Sequence, residues 1–166
     1  MKTTIGQLFL KELEAEEIST RRCLERVSEK LYKYKPHEKS MELGYLCLLV
    51  ADIPKWMSAS IEKGAIDLAT WGKHPLTTTA DLVAYFNENI EGAKNALRNV
   101  TDDALENKTF ELKMNGQELM KSTQLENISS CINHWVHHRG QLTVYMRLND
   151  IAVPSIYGPS ADERTF

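Results

Sequence analysis

Apolar residues recur at helical spacing in four long segments of the chain. These segments cover about residues 5–34, 41–64, 80–100 and 123–149, and each carries one apolar stripe beside polar positions. Pro54 lies inside the second segment, where it removes a backbone donor and is expected to kink the helix. The pattern predicts four amphipathic helices.

Capping residues precede three of these segments. Thr4 is followed three positions later by Gln7, and Thr123 is followed in the same way by Glu126, so both pairs predict a capping box. Ser40 is the predicted N-cap of the second helix, because serine hydroxyls accept hydrogen bonds from free amides at a helix start.

The connections between the helices predict the architecture. Residues 65–78 are too long for a tight helical hairpin, and residues 110–114 alternate between apolar and polar before the turn signal Asn115-Gly116. The tail, residues 153–166, is expected to lie extended over the helices. We therefore predict one all-α domain over residues 1–166, a four-helix bundle with long crossover connections and a short extended segment between helices 3 and 4.

Composition narrows the possible partners and the compartment. The 166 residues carry a net charge of −3, so the totals show no basic footprint and we expect no nucleic-acid partner. The longest apolar stretch, residues 45–51, is far shorter than the roughly 20 residues that span a bilayer. With no secretory signal recognisable at the N-terminus, the expected location is cytoplasmic and away from membranes. Three cysteines without Cys-x-x-Cys spacing argue against a zinc knuckle.

A histidine cluster in the fourth helix is the sharpest chemical feature. His134 and His138 lie one turn apart on one face, and Gln141 and Tyr145 continue the same line beside the apolar stripe. Two imidazoles at this spacing can point at one metal ion, although zinc needs three or four ligands. The alternative is a hydrogen-bonded histidine pair at a helix surface. His137 points about 60° the other way.

Several stretches of the chain carry a family resemblance. One is residues 137–142, with the sequence His-His-Arg-Gly-Gln-Leu, preceded by His134. The others lie at the end of helix 1, in helix 2 and in the tail, at residues 20–22, 34–41, 43–46, 53–56 and 153–163. Together they cover most of the chain and resemble the DinB-like (DinB/YfiT) family, whose name refers to damage-inducible genes.

This resemblance implies a four-helix bundle, often dimeric, with an unusual crossover topology. It also implies a divalent metal ion held by three histidines, one from the second helix and two from the fourth. By this resemblance, the two histidines of the fourth helix correspond to His134 and His138. Leu49 stands at the position of the second-helix histidine, and leucine has no lone pair to donate. Asp52, one turn further on, either replaces the missing ligand or is a solvated acid on the helix face. Glu17 either reaches the cavity or pairs with Arg21 four positions later.

These observations predict a DinB-like protein with a degenerate two-histidine site, in which zinc or nickel is weakly bound or absent. The expected cavity is lined by Leu49, Asp52, Gln141 and Tyr145. It suits a small-molecule-binding or stress-related scaffold, with a small molecule or thiol as ligand and a homodimer as assembly. The alternative is a divalent-metal-dependent enzyme of the thiol-dependent transferase or hydrolase type.

Overall fold

The structure, a computed structural model, describes residues 3–72 and 74–164. Most of these residues lie in helices. Within these residues the chain forms five α-helices, one 3₁₀ turn at Glu29–Leu31 and three strands. The helices are α1 Ile5–Glu25, α2 Leu43–Lys63, α3 Thr79–Asn99, α4 Asp102–Asn107 and α5 Gln124–Leu148. The strands are β1 Ala65–Asp67, β2 Thr109–Met114 and β3 Gln117–Thr123. The chain is mostly helical, as predicted, but the all-α prediction is wrong. The predicted extended segment forms the hairpin of β2 and β3, and β1, from the connection after α2, completes a three-stranded sheet.

The four long helices share one core. α1 packs against α3 and α5, and α2 packs against the same two helices from the opposite side. The links from α1 to α2 and from α3 to α5 therefore run between helices that are not neighbours. The largest fully buried side chains include Trp135, Phe86, Leu13, Leu24, Leu46 and Met57. In the described part of the chain, no helix has the length and apolarity to cross a membrane.

Both predicted capping boxes form. Thr4 accepts from the Gln7 amide and Thr123 accepts from the Glu126 amide, and each third residue bonds back to the cap. The prediction that Ser40 caps the second helix is wrong. α2 begins two residues later than predicted, at Leu43, because carbonyl groups of the preceding loop already accept from the first amides of this helix.

The first helix is shorter than predicted and ends at Glu25. The backbone at Ser28 is extended, and the Ser28 hydroxyl accepts from the Lys30 amide, so a separate 3₁₀ turn follows. Thr79, at the start of α3, donates its hydroxyl to the carbonyl of Val27 over 2.7 Å. This local capping and this long-range bond end the helix although its apolar period continues.

Pro54 lies inside α2 as predicted, and the neighbouring helices complete the hydrogen bonding around it. A residue with an amide proton would bond to the carbonyl of Val50 four positions earlier. The indole Nε1 of Trp135 on α5 donates to that carbonyl over 2.9 Å. Asn89 on α3 donates its amide to the next carbonyl, that of Ala51, at the same distance. The proline thus marks where α2 is joined to both neighbours.

The sheet has the order β1-β2-β3, with β1 parallel to β2 and β2 antiparallel to β3. The hairpin turns at Asn115-Gly116, where both residues have positive φ values, 51° and 79°. The Asp67 carboxylate at the end of β1 accepts from both of these amides. The sequence predicts the turn at Asn115-Gly116 and an extended segment before it, but not β1, because a parallel partner distant in the chain leaves no local signal.

The C-terminal tail lies against α1, and its last two residues, 165 and 166, fall outside the described part. The Glu163 carboxylate pairs with Arg26 and, over 2.7 Å, with Arg22, and it accepts from the Ser155 amide. These bonds, led by that of Arg26, lower the pKa of Glu163 from 4.5 to about 2.

Arg139, part of the histidine-rich stretch, anchors α5 to α1. Its side chain is only 2% exposed and donates to Ser19 Oγ at 3.0 Å and to Thr20 Oγ1 at 3.1 Å. It also forms an ion pair with Glu16. A buried guanidinium with this many partners is a structural group that fixes the orientation of the histidine helix.

Candidate functional site

The histidine pair of α5 forms a hydrogen-bonded chain with Gln141. The Nε2 atoms of His134 and His138 are 2.7 Å apart. On the other side of its ring, His138 Nδ1 lies 2.7 Å from Gln141 Oε1. Because the amide oxygen can only accept, this geometry favours the His138 tautomer with its proton on Nδ1. In the neutral pair, His134 Nε2–H donates to the free Nε2 of His138.

The surroundings favour the neutral form of both rings. Burial lowers the pKa of His134, and the neighbouring His138 and His137 lower it further. Burial also lowers the pKa of His138, although its bond to Gln141 opposes this shift. Each imidazole therefore keeps one nitrogen lone pair at neutral pH. One of these lone pairs accepts the hydrogen bond between the two rings.

Gln141 and Tyr145, the other residues of the predicted line, and His137 beside it have separate places. His137 is exposed, with its ring edge-on to His138 at 5.1 Å between centroids. Tyr145 is buried, donates its hydroxyl to the carbonyl of Met41 and packs edge-on against Tyr34. Gln141 forms a hydrogen bond with His138. The structure thus puts Gln141 in the histidine chain and Tyr145 in the core.

A pocket of about 320 Å³ lies between the outer face of α2 and the connection that follows β1. The helix contributes one stripe, made of Tyr45, Leu48, Leu49, Asp52 and Trp56. The connection contributes Leu68, Trp71, Gly72 and His74. Leu49 and Asp52, two of the predicted cavity residues, therefore line this pocket together.

Asp52 is the centre of the pocket's hydrogen bonding. Its Oδ2 accepts from the indole Nε1 of Trp56 at 2.8 Å and from that of Trp71 at 2.7 Å. Its Oδ1 accepts from the hydroxyl of Tyr85 on α3. All three donors are neutral, so they orient the carboxylate without cancelling its charge.

Aromatic and cationic groups surround this carboxylate. Burial and the bond to Asp52 raise the pKa of Tyr85, which keeps the phenol protonated as a donor. The ring of His74 stacks on Tyr85 at 3.9 Å with an angle of 9°. The Lys55 ammonium lies 5.0 Å from the ring centre of Trp71 and 5.7 Å from that of Tyr85.

Trp56 connects the pocket to the histidine pair. Its ring lines the pocket and packs against the ring of His134, with 5.6 Å between the centroids. Leu49 stands two turns earlier on the same helix. The pocket and the pair are therefore neighbours across one indole ring.

The described side chains near the histidine pair offer too few ligands for a metal centre. Among residues 3–72 and 74–164, no group of three or more His, Cys, Asp or Glu side chains is placed to hold one ion. Glu17 is engaged with Arg21 and, at 2.6 Å, with Lys94. Burial raises the pKa of the Cys23 thiol to about 11 and that of Cys131 to about 12, so these thiols stay protonated. In the described part of the chain, the two imidazole nitrogens of the pair are the donors that converge.

Sequence reasoning missed three residues of this site. Trp71 and His74 lie in the connection after β1, and Tyr85 lies on the apolar stripe of α3. The sequence gives no sign that any of them meets Asp52, because each contact spans different elements. A tryptophan in a connection between helices is the one local signal, since such a large ring is seldom left in water.

Comparison with known proteins covers nearly the whole chain. The sequence profile of the DinB family matches residues 1–165. The chain is 27% identical over 161 residues to the uncharacterized protein YrdA of Bacillus subtilis, an alignment that spans 93% of this chain and 89% of that protein. Its fold is similar to a DinB-like protein of Bacillus subtilis, YjoA, with a TM-score of 0.71, 21% identity, and 95% and 99% of the two chains covered. A DinB-like protein of Bacillus cereus gives a TM-score of 0.69, 24% identity, and 95% and 100% coverage.

Proposed function

Because the chain belongs to the DinB family, we propose that it is a member that binds a small molecule in the pocket beside Trp56 and holds no resident metal ion at its histidine pair. The observation that carries this proposal is the bonding of Asp52. Its carboxylate lines the pocket and already accepts from two indoles and one phenol.

The resident metal ion implied by the family resemblance does not fit these residues. Leu49 supplies no lone pair at the third position, and Asp52 would have to exchange its three donors for the ion. The pair itself is closed by a hydrogen bond, which must break before both Nε2 atoms can face a cation. A structural zinc ion needs four ligands and a catalytic one needs three from the protein. Two histidines are therefore expected to bind zinc or nickel weakly.

The pocket suits a small ligand. Its volume of about 320 Å³ lies at the lower end of the range for ligand sites, roughly 300–1,000 Å³. Leucine and aromatic side chains form most of its wall, and Asp52 supplies a fixed polar group. Such a combination binds the apolar part of a ligand by burial and orients it through one hydrogen bond or charge.

The test is a fragment screen by NMR on the untagged full-length chain. Ligands in the pocket are expected to shift the indole signals of Trp56 and Trp71 but not that of Trp135, which is 1% exposed. A Leu49→Trp variant should block binding by filling the pocket. A Val144→Trp variant, which adds a similar ring at an exposed site on α5, should bind like the wild type. Equal binding by both variants would contradict the proposal.

A metal-dependent enzyme of the DinB-like class is the second candidate, and one observation favours it. His138 is oriented through its outer nitrogen by Gln141, which is how second-shell partners hold histidines that ligate metals. This candidate requires a further ligand from substrate or solvent. A thiol ligand and a homodimer, both implied by the family resemblance, stay predictions.

A further inference from the structure

The pocket beside α2 combines aromatic rings with one carboxylate. The rings of Trp56 and Trp71 stand nearly perpendicular, at 83°, with 6.4 Å between their centres. Tyr45, 54% exposed, adds a third ring to the lining. Aromatic faces carry partial negative charge and attract cations that lie within about 6 Å of the ring centre.

The negative charge of Asp52 also favours a positively charged ligand. Its three donors are uncharged, so none of them neutralises the carboxylate at the pocket wall. It is the only acid among the described residues that line the pocket. A ligand that meets both this carboxylate and the rings gains most if it is positively charged.

The protein itself already places a cation in this field. Lys55, one turn after Asp52 on α2, holds its ammonium over the rings of Trp71 and Tyr85 at 5.0 and 5.7 Å. A flexible lysine is free to extend into water, so its position over two rings is consistent with an attractive potential here. The same ammonium also repels a second cation and limits the affinity that a ligand can reach.

We propose that the ligand of this pocket is a small organic cation, an amine or quaternary ammonium compound whose charged group faces Asp52 and whose carbon atoms pack on the tryptophan rings. This inference rests on the proposed function, since both require a ligand in the same pocket. It adds the chemical class of that ligand.

The experiment compares two probes of equal shape, choline and 3,3-dimethyl-1-butanol, in which carbon replaces the charged nitrogen. Titrations followed by the indole signals of Trp56 and Trp71 should show choline binding at least about tenfold more tightly. Equal affinities would overturn the cation assignment and leave the proposed function standing. If neither probe shifts these signals and the fragment screen is also blank, both proposals fail.

Matched variants separate charge from shape. Asp52→Asn retains one oxygen for the two indoles and an amide that donates to Tyr85, so the pocket is expected to keep its form. The Asp52→Asn substitution should weaken choline binding at least about tenfold and leave the affinity for the neutral probe unchanged. Lys55→Met should strengthen choline binding by removing the repelling ammonium. Unchanged choline affinity in Asp52→Asn, with the folded signals of the buried Trp135 indole retained, would overturn the inference.

Discussion

Trp71 donates its indole proton to Asp52 over 2.7 Å and so ties the connection after β1 to the middle of α2. The two residues are separated by 19 positions in the chain. The stacking of His74 on Tyr85 holds the same connection against α3. These two contacts position one wall of the pocket, and the pocket depends on them.

Trp71→Phe should loosen this wall. The variant keeps an aromatic ring but loses a hydrogen bond to a charged acceptor, which contributes about 1.5–3 kcal/mol. We expect faster hydrogen exchange at the amide of residue 71, which bonds to the Asp67 carbonyl at 2.8 Å. Trp56→Phe is the control, because it removes a donor from the same oxygen but lies on α2. Equal exchange rates in the two variants would contradict this role of Trp71.

The Trp135 indole and Pro54 should be energetically coupled through the carbonyl of Val50. Trp135→Phe leaves that buried carbonyl without its donor, at a cost of about 1–3 kcal/mol in the free energy of unfolding. In a Pro54→Ala background, a backbone amide at position 54 can bond to the same carbonyl, so the cost should fall. Urea unfolding of the four proteins measures the coupling. An identical cost in both backgrounds would refute it.

These contacts show what the sequence could and could not predict. Helix periods, the Thr4 and Thr123 capping boxes and the family resemblance rest on local patterns, and the structure and the comparisons confirm them. β1 and the early end of α1 depend on partners distant in the chain. The histidine pair is visible in the sequence because its members lie one turn apart. The ring of donors around Asp52 is not, because it joins three elements.

Acid should release the C-terminal tail. The pKa of Glu163 is about 2 in the folded chain instead of 4.5, so the folded state binds its proton less readily than the unfolded state. The stabilisation from Glu163 is therefore complete above about pH 4.5 and is lost as the pH falls toward 2. The NMR shift of the Ser155 amide, which donates to this carboxylate, should follow that loss. Glu163→Gln should abolish the transition, and an unchanged transition in this variant would assign it to another group.

A histidine substituted at position 49 should strengthen metal binding. Leu49→His restores the third ligand that the family resemblance implies, and zinc or nickel affinity should rise at least about tenfold, or about 1.4 kcal/mol. Chelator competition measures this change. Leu48→His is the control, because Leu48 lines the same pocket at the neighbouring position of the helix. A similar gain from both variants would show that position 49 has no special relation to the pair.

The metal content of the untagged wild-type chain, measured by elemental analysis next to a His134→Ala variant, tests the central claim most directly. With the pair closed by its own hydrogen bond and Asp52 engaged by three donors, the chain should retain well below one equivalent of zinc, nickel or any other divalent metal. The wild type and the variant should then give the same low value. One equivalent in the wild type that disappears in His134→Ala would contradict the account and favour the metal-dependent enzyme.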